Sequence, residues 1–456
     1  MRAQQQIPHN MNGEEKERQY QKWLTSTPFA HLSSRQTLQT SLDYVMRTNS
    51  NPQTAGSAGI TPLSGLDAFH WQGIFNSRPP TMTSSAIKAI TRNPSSVMTS
   101  LRKKLGASPL TPIDYRNVAG RAFTTSTEAT QGACGCCWIV AFFNWLICGV
   151  YKRQNKVATP ATATWGSFVS CLSFTVPGTT KIERACTGGN SADLYTKYYP
   201  LFTGKYIVMD YNPQATPPNY PYAYDVYGTS SATQKTANSN CVTYKKTHTV
   251  ADSDVYCSNL QQGFAGPPAV TGYNACAYLG NPPSSVVSAT APPTSGTGAK
   301  LSVGVSAKDI SAGVITVAVL KTQTDKDNLI KALLISTGPV LVNMCTALDS
   351  SAFQNYLVTK ADLAVWNFPV LMPPKKSATG VKTDHAVVIV GWGTDINKAD
   401  ITQTRDYFVV QNSFGSDWGD MGFFYLPCGT TGYPDTATWG PAGPWAIYST
   451  PILAFN

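Results

Sequence analysis

The sequence predicts an α+β protein: a helical half, then a β half, with a cleft between them and a segment of different character in front. Three observations predict it. An apolar stretch long enough for a buried helix follows residue 135, short β-branched and aromatic runs crowd the chain after residue 300, and a region rich in Pro, Gly, Ser and Thr separates the two. The chain has 456 residues, 42% hydrophobic and 11% aromatic, which is enough for a substantial core. Only 13% of residues are charged, against about a quarter in an ordinary soluble protein. Thr, Ser, Pro, Gly and Tyr take their place, a composition that favours loops and strands.

Residues 1–111 form the segment in front. In "RQTLQTSLDYVMR", Leu38, Leu42, Val45 and Met46 fall on one helical face, and such a stripe needs something to pack on. "SSVMTSLRKKLG" reads as a second short helix stopped by Gly106, and "ASPLTP" as an extended linker. Residues 112–456 form the main domain, whose dominant feature up to about Gly204 is "CCWIVAFFNWLICGVYKR", apolar nearly all round and hence a buried helix. Residues 205–300 read as an irregular insertion in which Cys241, Cys257 and Cys276 are potential staples. "DKDNLIKALLIST" reads as a short amphipathic helix, and "GPVLVNMCTA", "HAVVIVGWG", "DYFVVQN" and "GFFYLP" as strands.

Several function classes are disfavoured. No apolar run approaches the ~18–20 residues of a membrane span. The polar start has no apolar leader, so no secretory signal is expected. The net charge is +10, and residues 1–111 carry 12 Lys and Arg against 5 Asp and Glu. These charges are scattered, with only Arg102 to Lys104 clustered, so a solvated or partner-facing segment is expected rather than a nucleic-acid arm.

The chemistry concentrates in "QGACGCCW", with Cys134, Cys136 and Cys137 close together. A structural zinc site pairs two short Cys/His spacings, and "CGCC" has no second half, so neither a metal nor another cofactor is expected. A cysteine nucleophile needs its thiolate favoured, and Cys137 stands where the apolar helix should begin, at its positive end. Of the five histidines, His385 in "TDHAVVIVGWG" heads a buried strand that would hold the ring rigid. Asn412 in "VVQNSFGSDWGDMGFFYL" ends a neighbouring strand and would orient the imidazole.

These segments resemble the papain-like cysteine peptidases. "QGACGCCW" is similar to their nucleophile motif, "DHAVVIVGWG" to the histidine strand and "QNSFGSDWGDMGFF" to the asparagine segment. "ACTGGN", "TGPV" and "IDYRNV" resemble further landmarks of the family, and the likeness covers about residues 112–204 and 300–456. Within the family it is strongest to cathepsin B, through "DWGDMGFF" and, in the front segment, "LDYVMRTNS", "WQG" and "LRKKLG".

The resemblance implies a two-lobed papain-like fold, with a helical left lobe, a β-barrel-like right lobe and residues 1–111 as an inhibitory pro-segment. Cys137 would be the nucleophile, His385 the proton carrier, Asn412 its orienter and Gln131 an oxyanion donor. Gly188 and Gly189 would let an extended polypeptide substrate approach, and Trp418 would form part of the primed-side wall. Cys134 would pair with Cys186. The partners implied are a polypeptide substrate and the chain's own pro-segment, released by processing near Arg102 to Pro112.

The sequence also departs from the family pattern. Phe414 replaces a Trp that shields the Asn–His bond, and the insertion holds only His248 where cathepsin B has a histidine pair. Cys136 replaces Ser or Ala; it reads as an inert small side chain, with a disulfide half and a redox competitor as alternatives. A disulfide framework without a leader is a tension that packaging in the virion of a cytoplasmic DNA virus, or an oxidising or lysosome-like compartment, would resolve. The competing reading is an inactive peptidase scaffold with a structural or binding role.

Overall fold

The computed structural model describes residues 11–27, 33–51, 54–68, 71, 74–75, 77, 90–106, 109–116, 131, 135–154, 173–175, 182–184, 188–198, 312–360, 363, 365–373, 382–428, 432–433 and 442–456. The insertion at 205–300 with His248, and the cysteines Cys134 and Cys186, lie outside the described residues.

The N-terminal segment carries helices α1 (Gly13–Ser26) and α2 (Arg35–Ser50), strand β1 (Thr91–Arg92) and helix α3 (Pro94–Leu105). Each helix starts on a cap that its sequence provides. Asn12, Ser34 and Asn93 accept backbone N–H bonds from the first turns, and Pro94 sits where its missing N–H costs nothing. Gly106 ends α3 at φ 77°, a conformation glycine adopts without strain. Leu38, Leu42 and Val45 are fully buried, so the stripe read on α2 is its packing face.

The helical half centres on α4 (Cys137–Gln154). Cys136 and Cys137 through Phe142 and Trp145 are buried, as the all-round apolar pattern requires. Strand β2 (Ile113–Asp114) precedes this helix, and the pair β3 (Ser173–Thr175) and β4 (Ile182–Arg184) follows it.

The β half contains β5 (Ala312–Ile315), α5 (Gln323–Ser336), β6 (Val340–Met344), α6 (Ser350–Gln354), β7 (His385–Ile396), β8 (Thr404–Gln411), β9 (Phe423–Pro427) and β10 (Ile452–Phe455). Its sheet runs β1-β5-β10-β6-β7-β8-β9, with β2 laid on β7. Only β1 pairs in parallel, and the strand path has two free ends, so the barrel-like lobe is an open sheet. β7 carries a bulge between Ile389 and Gly391, and Gly391 permits the close approach of β2: a Cβ there would lie 2.6 Å from the Ile113 carbonyl oxygen.

Two sequence expectations are modified. The helix expected around "DKDNLIKALLIST" forms as α5, but it is buried on its polar side too. Lys331 reaches Asp406 at 2.5 Å and lies over the Trp392 ring, and the Tyr448 hydroxyl donates to Asp327. Buried charges persist where they are paired in this way. The N-terminal segment, for its part, is built into the same core: β1 joins the sheet beside β5, α3 packs on α5, and Val97 and Leu101 are buried.

The helix and the sheet meet at one tight contact. Trp145 of α4 stacks on Phe455 of β10 at 4.1 Å between ring centroids, and Gly149 one turn on has the same ring where its Cβ would be, 1.8 Å away. Gly149→Ala should therefore force overpacking at this seam and cost about 1–3 kcal/mol. Thermal unfolding of the variant checks this, and Phe455→Leu in the same chain should recover part of the loss.

Candidate active site

Cys137 is the first residue of α4, and the Cys136 carbonyl accepts from the N–H groups of Ile139 and Val140. Cys136 thus supplies the backbone acceptor that starts the helix, with a fully buried side chain. The positive end of the helix dipole gives Cys137 a local potential that favours a thiolate. Helix α4 packs across β7, whose first residue is His385.

His385 is completely buried, and its Nε2 lies 2.8 Å from Asn412 Oδ1. Asn412 Oδ1 also accepts the Ser413 N–H at 2.8 Å, which fixes the amide's orientation. An amide oxygen only accepts, so Nε2 carries the proton and donates to it. Nδ1 is then the basic nitrogen, and it has no hydrogen-bond partner among the described residues. Phe414 stacks on the imidazole at 5.3 Å and 16°, with Phe75 edge-on at 4.8 Å and Phe353 at 5.7 Å. Phe414 thus takes the covering place assigned to it.

Gln131 is buried beside this pair. Its N–H donates to the Ser413 carbonyl at 2.8 Å and its Oε1 accepts from the Ser413 hydroxyl. Its Nε2 donates to the Ile74 carbonyl at 2.9 Å. The side-chain donor expected at the oxyanion position therefore already holds a peptide carbonyl, and that carbonyl belongs to the N-terminal segment.

The same segment continues along the cleft. Ser77 forms a parallel bridge with Gly189, and its N–H donates to the Asp384 carbonyl at 2.8 Å. Gly188 has φ 97°, and a Cβ on Gly189 would lie 2.6 Å from the Trp138 ring, so both glycines are needed for this close approach. Trp418 is wholly buried between Phe353, Tyr356, Phe414 and Phe424, and its Nε1 donates to the Phe353 carbonyl at 2.9 Å.

A second anchor holds the segment away from the cleft. Ala58 bridges Tyr356, the N–H of Gly59 donates to the Asn355 carbonyl, and the N–H of Thr359 donates to the Gly56 carbonyl. Buried Asn355 accepts from the Ser64 hydroxyl and donates to the Ser41 hydroxyl. Sequence reasoning missed Ile74, Phe75, Ser77, Ser413 and Phe353. The one signal near the cleft residues is "WQG", directly before Ile74.

Burial holds His385 down to about 4 against an ordinary 6.5, with the Asn412 bond pulling the other way. Burial also pushes the Asp384 carboxyl up to about 6, opposed by bonds from Thr346 and Ala347. Five cysteine side chains among the described residues, Cys136, Cys137, Cys148, Cys345 and Cys428, are buried thiols. No group that would hold a metal is found among the described residues.

The depressed imidazole has a pH consequence for the segment whose Phe75 covers it. Uncovering lets His385 return toward 6.5, so docking is strongest above about 6.5 and is weakened as pH falls through about 4. Asp384 works in the opposite sense, its contribution being present below 3.8 and lost as pH rises through about 6. Its carboxylate is held by Thr346 and Ala347, so the Phe75-covered imidazole should dominate. In a full-length Cys137→Ala chain, protease cleavage within residues 71–77 should accelerate from about pH 7 to about pH 4. A flat rate would separate imidazole burial from docking.

Comparison with known proteins agrees with this geometry. Residues 230–437 match the family described as papain family cysteine protease. That stretch, a little under half of the chain, contains His385 and Asn412, while Gln131 and Cys137 precede it. A cysteine protease of Blomia tropicalis is 45% identical over 47 residues, 10% of this chain and 12% of that protein. A cysteine proteinase of Theileria parva is 39% identical over 83 residues, 18% of this chain and 17% of that protein. The chain thus matches less than a fifth of the length of these curated relatives. The proform of Amb a 11, a ragweed pollen cysteine protease, superposes with a TM-score of 0.50 at 13% identity, covering 99% of each chain, and so shares the fold. The buried His385–Asn412 pair lies within the stretch, residues 230–437, that matches the papain family of cysteine proteases.

Proposed function

We propose that this protein is a cysteine endopeptidase made as a latent zymogen, with Cys137 as nucleophile, His385 as proton carrier and Asn412 as its orienter. One observation carries the reading. The N-terminal segment lies in the cleft with its Ile74 carbonyl on the Gln131 amide and its Phe75 ring against His385. A segment that occupies an oxyanion donor and covers a general base is placed as an inhibitor would be.

The chemistry follows from the groups present. With the segment gone, water and substrate reach Cys137 at the helix N-terminus, and the imidazole regains its affinity for a proton. The Cys137 thiol passes its proton to His385 Nδ1 and its sulfur attacks the scissile carbonyl. The oxyanion is met by the Gln131 amide, freed from Ile74, and by the Cys137 N–H. His385 then protonates the leaving amine and activates water, which hydrolyses the thioester. Asn412 keeps Nε2 protonated throughout, so Nδ1 stays the reactive nitrogen.

Support for Trp418 as a primed-side wall comes from its position beside Phe414 and Phe353 rather than from exposure. The likeness of "DWGDMGFF" to cathepsin B belongs to this reading, as do a polypeptide substrate and processing near Arg102 to Pro112.

The full-length chain should react with an epoxysuccinyl inhibitor far more slowly than the processed enzyme. After limited proteolysis that removes the N-terminal segment, Cys137 should label and peptide substrates should turn over. Absence of both after complete removal would leave the inactive-scaffold reading in its place. In the processed enzyme, Gln131→Ala should lower kcat by ~10²–10³ with a smaller change in KM, as steady-state kinetics would measure.

A further inference from the structure

We propose that Asn343 makes the cleft selective for a small hydrogen-bonding side chain, serine or threonine, on the substrate residue that pairs with Gly189. The proposal deepens the peptidase reading and rests on it.

Ser77 shows what that position accepts. It is the residue of the N-terminal segment that bridges Gly189, and its N–H donates to the carbonyl of Asp384, the residue before His385. Its hydroxyl donates to Asn343 Oδ1 at 2.6 Å. Gly189 packs on Trp138, the residue after the nucleophile, so these three anchors frame the cleft next to the reacting groups. The Gly189 and Asp384 contacts use backbone atoms and are indifferent to the side chain. Selectivity therefore falls to Asn343.

Asn343 is the single polar residue in β6, among Val340, Leu341, Val342 and Met344, and it is only 3% exposed. It stands directly opposite Ala386, a small side chain with no polar group of its own to meet the amide. A buried amide is costly when its oxygen lacks a donor. In the latent chain Ser77 is that donor. Once the segment leaves, a substrate hydroxyl at the same place restores the bond, whereas Leu or Phe would bury the amide oxygen without one. Sites built to bond a hydroxyl reject analogues that lack it far more strongly than apolar pockets discriminate by size.

The test uses the full-length chain, before and after limited proteolysis removes its N-terminal segment. The processed enzyme is offered fluorogenic peptides varied at each of the three residues before the scissile bond. Serine or threonine should exceed leucine and phenylalanine in kcat/KM by about tenfold or more at one position. Asn343→Leu should invert that preference toward leucine. In the uncut chain, Ser77→Ala should let an epoxysuccinyl inhibitor label Cys137 about tenfold faster than wild type, and Ser77→Thr should not. This second pair stands even where Asn343→Leu fails to fold. An active enzyme that prefers leucine or phenylalanine at all three positions, or Ser77→Ala labelling at the wild-type rate, would overturn the proposal while leaving the peptidase reading intact. A processed chain that neither labels nor turns over any peptide would overturn both.

Discussion

The register between β7 and β8 is the constraint on which the rest of the site depends. Val388 stands opposite Gln411, so the two strands deliver His385 and Asn412 to the same edge of the sheet, where they meet at 2.8 Å. Side chains alternate along a strand, and a slip of one residue would turn Asn412 to the other face. Both faces of these strands are buried around the pair, so such a slip would exchange differently sized side chains between two filled faces and disrupt the packing of each. Phe414 and Phe353 then exclude water from the bond, and the protonated Nε2 leaves Nδ1 as the basic nitrogen. A single choice of register thus selects the tautomer on which the chemistry rests.

The N-terminal segment completes the structure in two different ways. At 56–66 it is held against 354–359 by hydrogen bonds between neutral groups, which salt screens little. At 74–77 it satisfies the polar atoms that a substrate would otherwise meet: a carbonyl for Gln131, a donor for Asn343 and a ring for His385. In the proposed zymogen, latency would come from the second contact and its persistence from the first. Among the described residues, the imidazole is an ionisable group that the segment's own ring covers, which makes it a point where acidity enters.

Much of this was legible in the sequence because it was local. Cys137 at the head of an apolar helix, His385 at the head of a β-branched run and Asn412 at the end of another are patterns within a dozen residues. The capped helices of the front segment and the Gly106 stop are local too. What lay hidden was long-range. β5 and β10 are four residues each and gain their identity by pairing with one another and with β1 and β6. Lys331 and Asp327 look like the wet face of a helix until Asp406 arrives from β8 and Tyr448 from the turn before β10. Ile74, Phe75 and Ser77 carry no signal of their own, because Ile74 acts through its backbone carbonyl, Phe75 through its ring and Ser77 through a backbone N–H and a hydroxyl whose partners are all distant in sequence. Asn343 reads as an oddity in a strand, and only its partner gives it meaning.

The order of elements along the chain carries a further consequence for how the protein comes into being. The contact between Thr61 and Gln354 spans 293 residues, and the blocking residues at 74–77 precede both Cys137 and His385. Synthesis runs from the N-terminus, so the blocking segment leaves the ribosome before either reactive group does. Its docking face, at residues 354–359, emerges shortly before His385 and Asn412. In the proposed zymogen, the segment that covers the cleft is thus already made by the time the last strands can pair and bring the histidine to its asparagine.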